Sequence, residues 1–135
     1  MFKIIGKYAH ERSEGLDEYF KALGVPYIPR KMMCASNPTI EISKTDDDLW
    51  TISTSTTFRT STYTFKLGEQ YEETMPGNTL KCTTTIEEDK LITVCKGPQD
   101  SHITRTYVFS DEGMTLTYLD KKSQKEAIRY FKRSS

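Results

Sequence analysis

The stretch from Thr79 to Lys96 reads TLKCTTTIEEDKLITVCK. It contains two runs rich in threonine, isoleucine and valine, Thr79 to Glu87 and Leu91 to Lys96, with the acidic pair Glu88-Asp89 between them. Residues branched at Cβ favour β-strands, and short acidic segments of this kind are typical of turns. The stretch therefore predicts two antiparallel strands joined as a hairpin.

Similar runs occupy most of the chain after residue 38, at the spacing of an antiparallel meander. With the hairpin above there are nine of them: Thr39 to Ser43, Leu49 to Thr56, Arg59 to Leu67, Tyr71 to Thr74, Thr79 to Glu87, Leu91 to Lys96, His102 to Phe109, Met114 to Leu119 and Lys125 to Lys132. Ile4 to Arg12 supplies a tenth strand. About ten strands do not stay flat and open, and closure removes their exposed edges. The sequence therefore predicts an all-β fold, a ten-stranded antiparallel up-and-down β-barrel.

The segment between the first and second strands departs from this pattern and predicts two helices. Apolar residues recur there at i, i+3, i+4 and i+7, at Leu16, Tyr19, Phe20 and Leu23. Gly24 follows as a typical helix terminator. A second short helix is expected to begin at Pro29 and to end before Asn37-Pro38, because the residue preceding a proline disfavours the helical region. This helix-turn-helix would form a lid over one end of the barrel.

Length and charge limit the classes of protein to be considered. A chain of 135 residues indicates a single domain, residues 1–135, large enough for a core or for a shell around a cavity. Its 19 basic and 19 acidic residues leave no global field that would attract nucleic acid. The hydrophobic content of 36% is below the usual range, which a polar-lined interior would explain.

The cysteines and the N-terminal sequence indicate a cytoplasmic protein. Cys34, Cys82 and Cys95 are odd in number and lack metal-ligand spacing, so we expect reduced thiols, no disulfide and no metal. The apolar run at the N-terminus is too short for a signal peptide, and no stretch approaches the ~20 apolar residues of a membrane span.

Nothing in the sequence indicates an enzyme or a cofactor. His10 and His102 are the only histidines, and neither has the spacing of a catalytic base beside a nucleophile. No zinc-protease, nucleophile-elbow or phosphate-binding glycine motif is present. The acidic run from residue 46 to 48 lacks the spaced ligands of a calcium loop and is interpreted as a turn.

Two arginines occur on strand faces that are otherwise apolar. Alternation places Arg105 on one face with Ile103, Tyr107 and Phe109, and Arg129 on a face with Ala127 and Phe131. A guanidinium keeps its charge in a protein, so a partner is required in the interior. The partner is either an Asp or Glu on a neighbouring strand, solvent, or the carboxylate of a bound ligand.

Several short motifs, in this order and spacing, resemble the intracellular lipid-binding proteins of the fatty-acid-binding protein group over almost the whole chain. They are Gly6, Leu16-Asp17-Glu18-Tyr19, Leu23-Gly24-Val25, Arg30-Lys31 with Pro38, Ser55-Thr56-Thr57-Phe58-Arg59, Phe65-Lys66-Leu67-Gly68-Glu69-Gln70-Tyr71-Glu72-Glu73, Ile103-Thr104-Arg105 and Ile128-Arg129-Tyr130-Phe131-Lys132-Arg133.

This resemblance implies a ten-stranded barrel with a water-containing cavity, a helical lid and non-covalent carriage of long-chain fatty acids through the cytosol by a monomer. Arg105 and Arg129 match the positions of the family's two carboxylate-binding arginines. Phe58 matches the aromatic residue at the portal. We expect the portal and cavity lining to include Leu16, Tyr19, Val25, Met33, Phe58 and Ile103. Arg30 and Lys31 would contact membranes transiently during delivery.

The chain departs from the family pattern near its end. The family has tyrosine two residues after the second arginine, where this chain has Phe131, which cannot donate a hydrogen bond. Tyr130 points to the opposite strand face. The head group would therefore depend on the two arginines, water or another hydroxyl, with Tyr118 as the candidate. Tyr8 replaces the usual tryptophan of the first strand and is interpreted as a core aromatic.

Three other functions remain as alternatives. The nearest is a carrier of retinoic acid or another hydrophobic acid in the same family. Retinol carriers of the family have glutamine at both arginine positions, so the two arginines favour an acid. A barrel that binds protein or nucleic acid is disfavoured by the neutral net charge. A small barrel enzyme is disfavoured by the absence of a recognisable nucleophile and base.

Overall fold

The computed structural model describes residues 4–45, 48–56, 60–75, 78–97 and 101–134. Ten strands and two helices form within these ranges. The strands are β1 (Gly6–Glu14), β2 (Thr39–Lys44), β3 (Trp50–Ser55), β4 (Thr60–Phe65), β5 (Tyr71–Met75), β6 (Asn78–Glu87), β7 (Lys90–Lys96), β8 (His102–Phe109), β9 (Gly113–Asp120) and β10 (Lys125–Arg133), and the helices are α1 (Leu16–Ala22) and α2 (Tyr27–Ala35).

The ten strands form one antiparallel sheet in the order β4-β3-β2-β1-β10-β9-β8-β7-β6-β5. β1 pairs with both β2 and β10, which brings the two ends of the chain together and curls the sheet. The terminal strands β4 and β5 are bridged where the Tyr63 hydroxyl donates to the Thr74 carbonyl at 3.4 Å. The all-β, ten-stranded antiparallel barrel predicted from the sequence is therefore confirmed, and it is nearly closed.

The predicted helix-turn-helix is confirmed between β1 and β2. α1 buries Leu16, Tyr19 and Phe20 and packs against β10, β9 and α2. α2 begins at Tyr27, two residues before the predicted start. Pro29 lies in the first turn of α2, where its missing N–H leaves no intrahelical hydrogen bond unmade.

Gly15 connects β1 to α1 in a conformation that suits glycine. Its φ is +72°, and a Cβ at this position would lie 2.7 Å from the backbone oxygen of Glu126. Gly24, after α1, has a φ of +84°, and a Cβ at this position would meet no atom within 4 Å. Both glycines therefore have a left-handed backbone conformation, but only Gly15 lacks space for a side chain.

We expect Gly15→Ala to lower the free energy of unfolding by more than Gly24→Ala. Both variants incur the cost of a left-handed alanine, about 1–2 kcal/mol. Only Gly15→Ala also forces the methyl group against a backbone oxygen. Urea unfolding of both variants beside the parent chain measures the difference, and equal losses would contradict the close approach of Gly15 to β10.

Two clusters of buried side chains divide the interior. One, away from the helices, comprises Ile4, Tyr8, Ile40, Ile42, Trp50, Ile52, Phe65, Leu91, Tyr107, Phe109, Met114, Leu116 and Phe131. The other lies under the helices and comprises Leu16, Tyr19, Phe20, Val25, Leu80, Cys82, Cys95, Ile103 and Ala127. Tyr8 is fully buried, as expected for a core aromatic.

The expectation that no disulfide forms is wrong. Cys82 on β6 and Cys95 on β7 are direct partners in the strand register, and their sulfurs are bonded. The hairpin register brings together two residues that lie 13 apart in the chain. Among the described residues Cys34 is the free cysteine.

Candidate functional site

A cavity of about 430 Å³ lies between the helices and the inner face of the barrel. Its size falls within the ~300–1,000 Å³ of small-molecule sites. The helices contribute Tyr19, Phe20, Pro29, Met32, Met33 and Ser36. The barrel contributes mainly hydroxyl-bearing residues near the β4 and β5 edges (Thr54, Thr56, Ser61, Tyr63 and Thr74) and apolar or aromatic residues farther round (Leu80, Cys95, Ile103 and Tyr118).

Arg105 and Glu73 are the charged residues in the described part of the cavity wall. Nη2 of Arg105 on β8 donates to Oε2 of Glu73 on β5, and the two side chains are 20% and 6% exposed. Burial disfavours the guanidinium charge, but the neighbouring Tyr107 and Glu73 hold the pKa of Arg105 well above its ordinary value. Glu73 thus provides an internal acid for Arg105, which is one of the partners that the sequence left open.

Arg129 lies under the lid with a different set of contacts. Its Nη2 donates to the backbone carbonyl of Met33 in α2 at 3.1 Å, although the two residues are 96 apart in the chain. Its side chain is buried, and Nη1 has no hydrogen-bond partner among the described residues. Arg129 therefore connects β10 to the lid. It is not among the described residues that line the cavity.

Tyr118 occupies the wall between the two arginines. In the strand register it is opposite Arg105 on one side and Ala127 on the other. Its ring packs 5.4 Å from the ring of Tyr19, measured between centroids. Burial raises the pKa of the Tyr118 phenol, and the positive charges of Arg129 and Arg105 oppose this rise. The phenol therefore keeps its proton at neutral pH and can donate a hydrogen bond into the cavity.

Phe131 does not line the cavity. It is buried in the cluster away from the helices, where its ring meets the edge of His10 with centroids 5.6 Å apart. His10 in turn contacts the Ser13 hydroxyl at 2.5 Å and the Asn37 side-chain oxygen at 3.1 Å. Phe131 thus belongs to the packed core, and Tyr118 is the tyrosine on β9 that lines the cavity.

The other residues expected to line the portal and cavity divide into three groups. Tyr19, Met33 and Ile103 form part of the wall. Leu16 and Val25 are buried beneath the helices and belong to the packing of the lid, not to the wall. Phe58 lies outside the described residues.

Sequence reasoning missed Glu73 as a participant in the site. Its carboxylate reaches Arg105 across β6 and β7, a contact between residues 32 apart in the chain. The available signal was alternation in β5, which puts Glu73 on the same face as Tyr71, an aromatic residue that packs against both buried clusters. Glu73 and Arg105 both point into the barrel, and Glu73 is the acidic partner that a buried arginine needs.

The surface of α2 carries exposed apolar side chains beside two basic ones. Tyr27, Ile28 and Met32 are 64%, 70% and 40% exposed. Arg30 and Lys31 both contact Asp17 of α1, at 2.9 and 3.1 Å. In the described part of the chain, no helix has the length and apolar character needed to cross a membrane.

The chain resembles known proteins over nearly its full length. The model of the lipocalin / cytosolic fatty-acid binding protein family matches residues 5–129. A fatty acid-binding protein of Tyrophagus putrescentiae is 36% identical over 135 residues, which covers 98% of this chain and 99% of that protein. Cellular retinoic acid-binding protein 2 of Rattus norvegicus is 42% identical over 91 residues, or 64% of this chain and 66% of that protein.

The fold is also that of a solved lipid complex. The fatty acid binding protein of Schistosoma mansoni in complex with arachidonic acid superposes with a TM-score of 0.91 at 26% identity, and 100% of this chain and 98% of that chain are covered. The fold and the sequence matches therefore point to the same family. The chain belongs to the lipocalin / cytosolic fatty-acid binding protein family, whose members are lipid-binding carriers and not enzymes.

Proposed function

We propose that this protein is a monomeric cytoplasmic carrier of a long-chain fatty acid, with the ligand carboxylate near Arg105, Arg129 and Tyr118. The observation that carries the proposal is the lidded cavity of about 430 Å³ with an arginine in its wall and a second beneath its lid. The Tyrophagus putrescentiae relative is named a fatty acid-binding protein, which supports the same class of ligand.

The donors available for a carboxylate favour an acidic head group. Nε of Arg105 and Nη1 of Arg129 are buried and have no hydrogen-bond partner among the described residues. A buried charged donor left unpaired costs free energy, and a carboxylate would supply the missing acceptor. The Tyr118 phenol would add a third donor from the wall, in place of the tyrosine that Phe131 replaces.

Apolar burial would supply most of the affinity. About 15 methylene groups at ~0.8 kcal/mol each give a gross gain on the order of 12 kcal/mol. The costs of ordering and immobilising the chain reduce this gain, which leaves dissociation constants in the micromolar to nanomolar range. The arginines would then select acids over neutral lipids and orient the ligand.

Displacement of a fluorescent fatty-acid probe tests the proposal. Oleate should displace the probe at much lower concentration than methyl oleate, because the ester has the same apolar chain but no carboxylate charge. Equal displacement by oleate and methyl oleate would mean that the cavity selects ligands by shape and not by charge. Failure of the probe to bind would overturn the carrier proposal and favour a barrel that binds protein or nucleic acid.

Retinoic acid is the second candidate ligand. The rat relative is named a cellular retinoic acid-binding protein, and retinoic acid carries the same carboxylate on a bulkier apolar body. The Tyr118 ring, which projects from the wall and packs against Tyr19 and Phe20 of α1, would restrict such a ligand more than a flexible acyl chain. Displacement by retinoic acid at lower concentration than oleate would assign the protein to this second function.

We also propose that α2 contacts membranes transiently during delivery. The exposed apolar side chains of Tyr27 and Ile28 can enter the lipid interface, and Arg30 and Lys31 lie beside them. Ile28→Ser should slow transfer of a fluorescent fatty acid to phosphatidylserine vesicles by about threefold or more. Val108→Ser, on β8 and 41% exposed, is the matched control and should transfer at the parental rate. Identical rates in both variants would contradict this role of α2.

A further inference from the structure

Three potential metal ligands meet beside the cavity. The sulfurs of Cys82 and Cys95 and a carboxylate oxygen of Glu73 all lie within 4.8 Å of one another, and all three residues are buried. They come from three consecutive strands, β6, β7 and β5. Cys95 and Glu73 also line the cavity, so an ion held by this cluster would border the ligand space.

The donor set matches the chemistry of zinc. Two thiolates and one carboxylate are ligands that Zn²⁺ accepts, and it binds four ligands in a tetrahedron. Three protein ligands leave the fourth position open, and two of the three, Cys95 and Glu73, line the cavity. Calcium and magnesium prefer oxygen ligands, so the two sulfurs select a softer ion.

The local charges favour a doubly charged ion. Two thiolates and the Glu73 carboxylate carry three negative charges, and Zn²⁺ with the Arg105 guanidinium would carry three positive ones. Arg105 binds Oε2 of Glu73, which leaves the other carboxylate oxygen available to the ion. Buried charges are tolerated when they are paired in this way.

The disulfide and the metal site are alternative states of the same two cysteines. Two molecules of a thiol such as glutathione reduce the bond: each Cys sulfur gains one hydrogen, and the two reductant sulfurs join in a new disulfide. Zinc binding then displaces one proton from each thiol. We propose that the reduced barrel binds one zinc ion through Cys82, Cys95 and Glu73, independently of any fatty acid.

Cobalt substitution provides a direct test. Protein reduced with a phosphine and freed of excess reductant should bind one Co²⁺ per chain, with the near-ultraviolet sulfur-to-cobalt band and the visible band of a tetrahedral site, and Zn²⁺ should abolish both. The same protein with the disulfide intact should show neither band. This comparison needs no substitution and therefore no assumption about the folding of a variant.

Matched variants locate the ion. Cys34→Ser removes the free cysteine outside the cluster and should leave both bands and the stoichiometry unchanged. Cys95→Ser should remove the bands, and Glu73→Gln should weaken cobalt binding about tenfold or more, because one ligand is lost. Loss of the bands in Cys34→Ser, equal binding by oxidised and reduced protein, or no binding by reduced protein would overturn the proposal.

Discussion

Replacement of Glu73 by glutamine is expected to destabilise the empty barrel and to strengthen fatty-acid binding. Glu73 is buried and forms an ion pair with Arg105. Removal of one partner from a buried ion pair costs about 3–5 kcal/mol, because the other charge is left uncompensated. The amide retains the shape and one acceptor, so the loss for Glu73→Gln should fall near the lower end of that range.

The gain in affinity has the same origin. In the parent barrel the ligand carboxylate has to compete with Glu73 for Arg105, and in Glu73→Gln it meets an unpaired guanidinium. We expect oleate to bind about tenfold more tightly or better, which corresponds to about 1.4 kcal/mol. Methyl oleate should gain nothing, because it brings no charge.

Urea unfolding with and without oleate, together with calorimetric titration, measures both effects. Glu72→Gln is the matched control, since Glu72 is the adjacent residue of β5 and is exposed. It should change neither stability nor affinity by a measurable amount. Weaker oleate binding by Glu73→Gln would show that Glu73 assists the ligand instead of competing with it.

Replacement of Arg129 is expected to remove selectivity for the acid. Hydrogen bonds to charged groups contribute about 1.5–3 kcal/mol, so oleate should lose about 10–100-fold in affinity while methyl oleate is nearly unaffected. The contact between Nη2 and the Met33 carbonyl is a separate contribution, because it holds β10 to the lid.

Two substitutions separate these contributions. Arg129→Gln removes the charge but keeps an N–H group that can donate to the Met33 carbonyl, whereas Arg129→Ala removes both. Both should lose the preference for oleate over methyl oleate, and only Arg129→Ala should also loosen α2, seen as faster amide exchange in the lid. Arg12→Ala, with a side chain that is 61% exposed, is the control. Full selectivity in Arg129→Gln would contradict carboxylate binding by Arg129.

The barrel was predictable because local signals repeat along the chain. Strand-forming runs, turn residues and the apolar spacing of Leu16, Tyr19 and Phe20 each depend on neighbours in sequence. The prediction for the start of α2 is two residues late, because proline favours the first helical position and Pro29 instead lies third in the first turn.

The candidate site was only partly predictable because its contacts are distant in sequence. Alternation placed Arg105 and Tyr118 on the inner face, and both line the cavity. It did not identify Glu73, since that residue reaches Arg105 from a strand three positions away in the sheet. The Cys82–Cys95 bond was not predicted for a related reason: the number and spacing of the cysteines do not reveal that the β6–β7 register sets two of them opposite each other.

The ionisation of bound oleate tests carboxylate capture by the arginines most directly. Oleate labelled with ¹³C at the carboxyl carbon reports the protonation state of the bound ligand as pH is lowered. Two neighbouring guanidiniums favour the ionised form, so the bound resonance should stay at its ionised position through pH ~4, near where an unperturbed carboxyl titrates. A bound resonance that titrates at or above the ordinary carboxyl pKa, or one that is the same in the parent chain and in Arg129→Gln, would contradict the account.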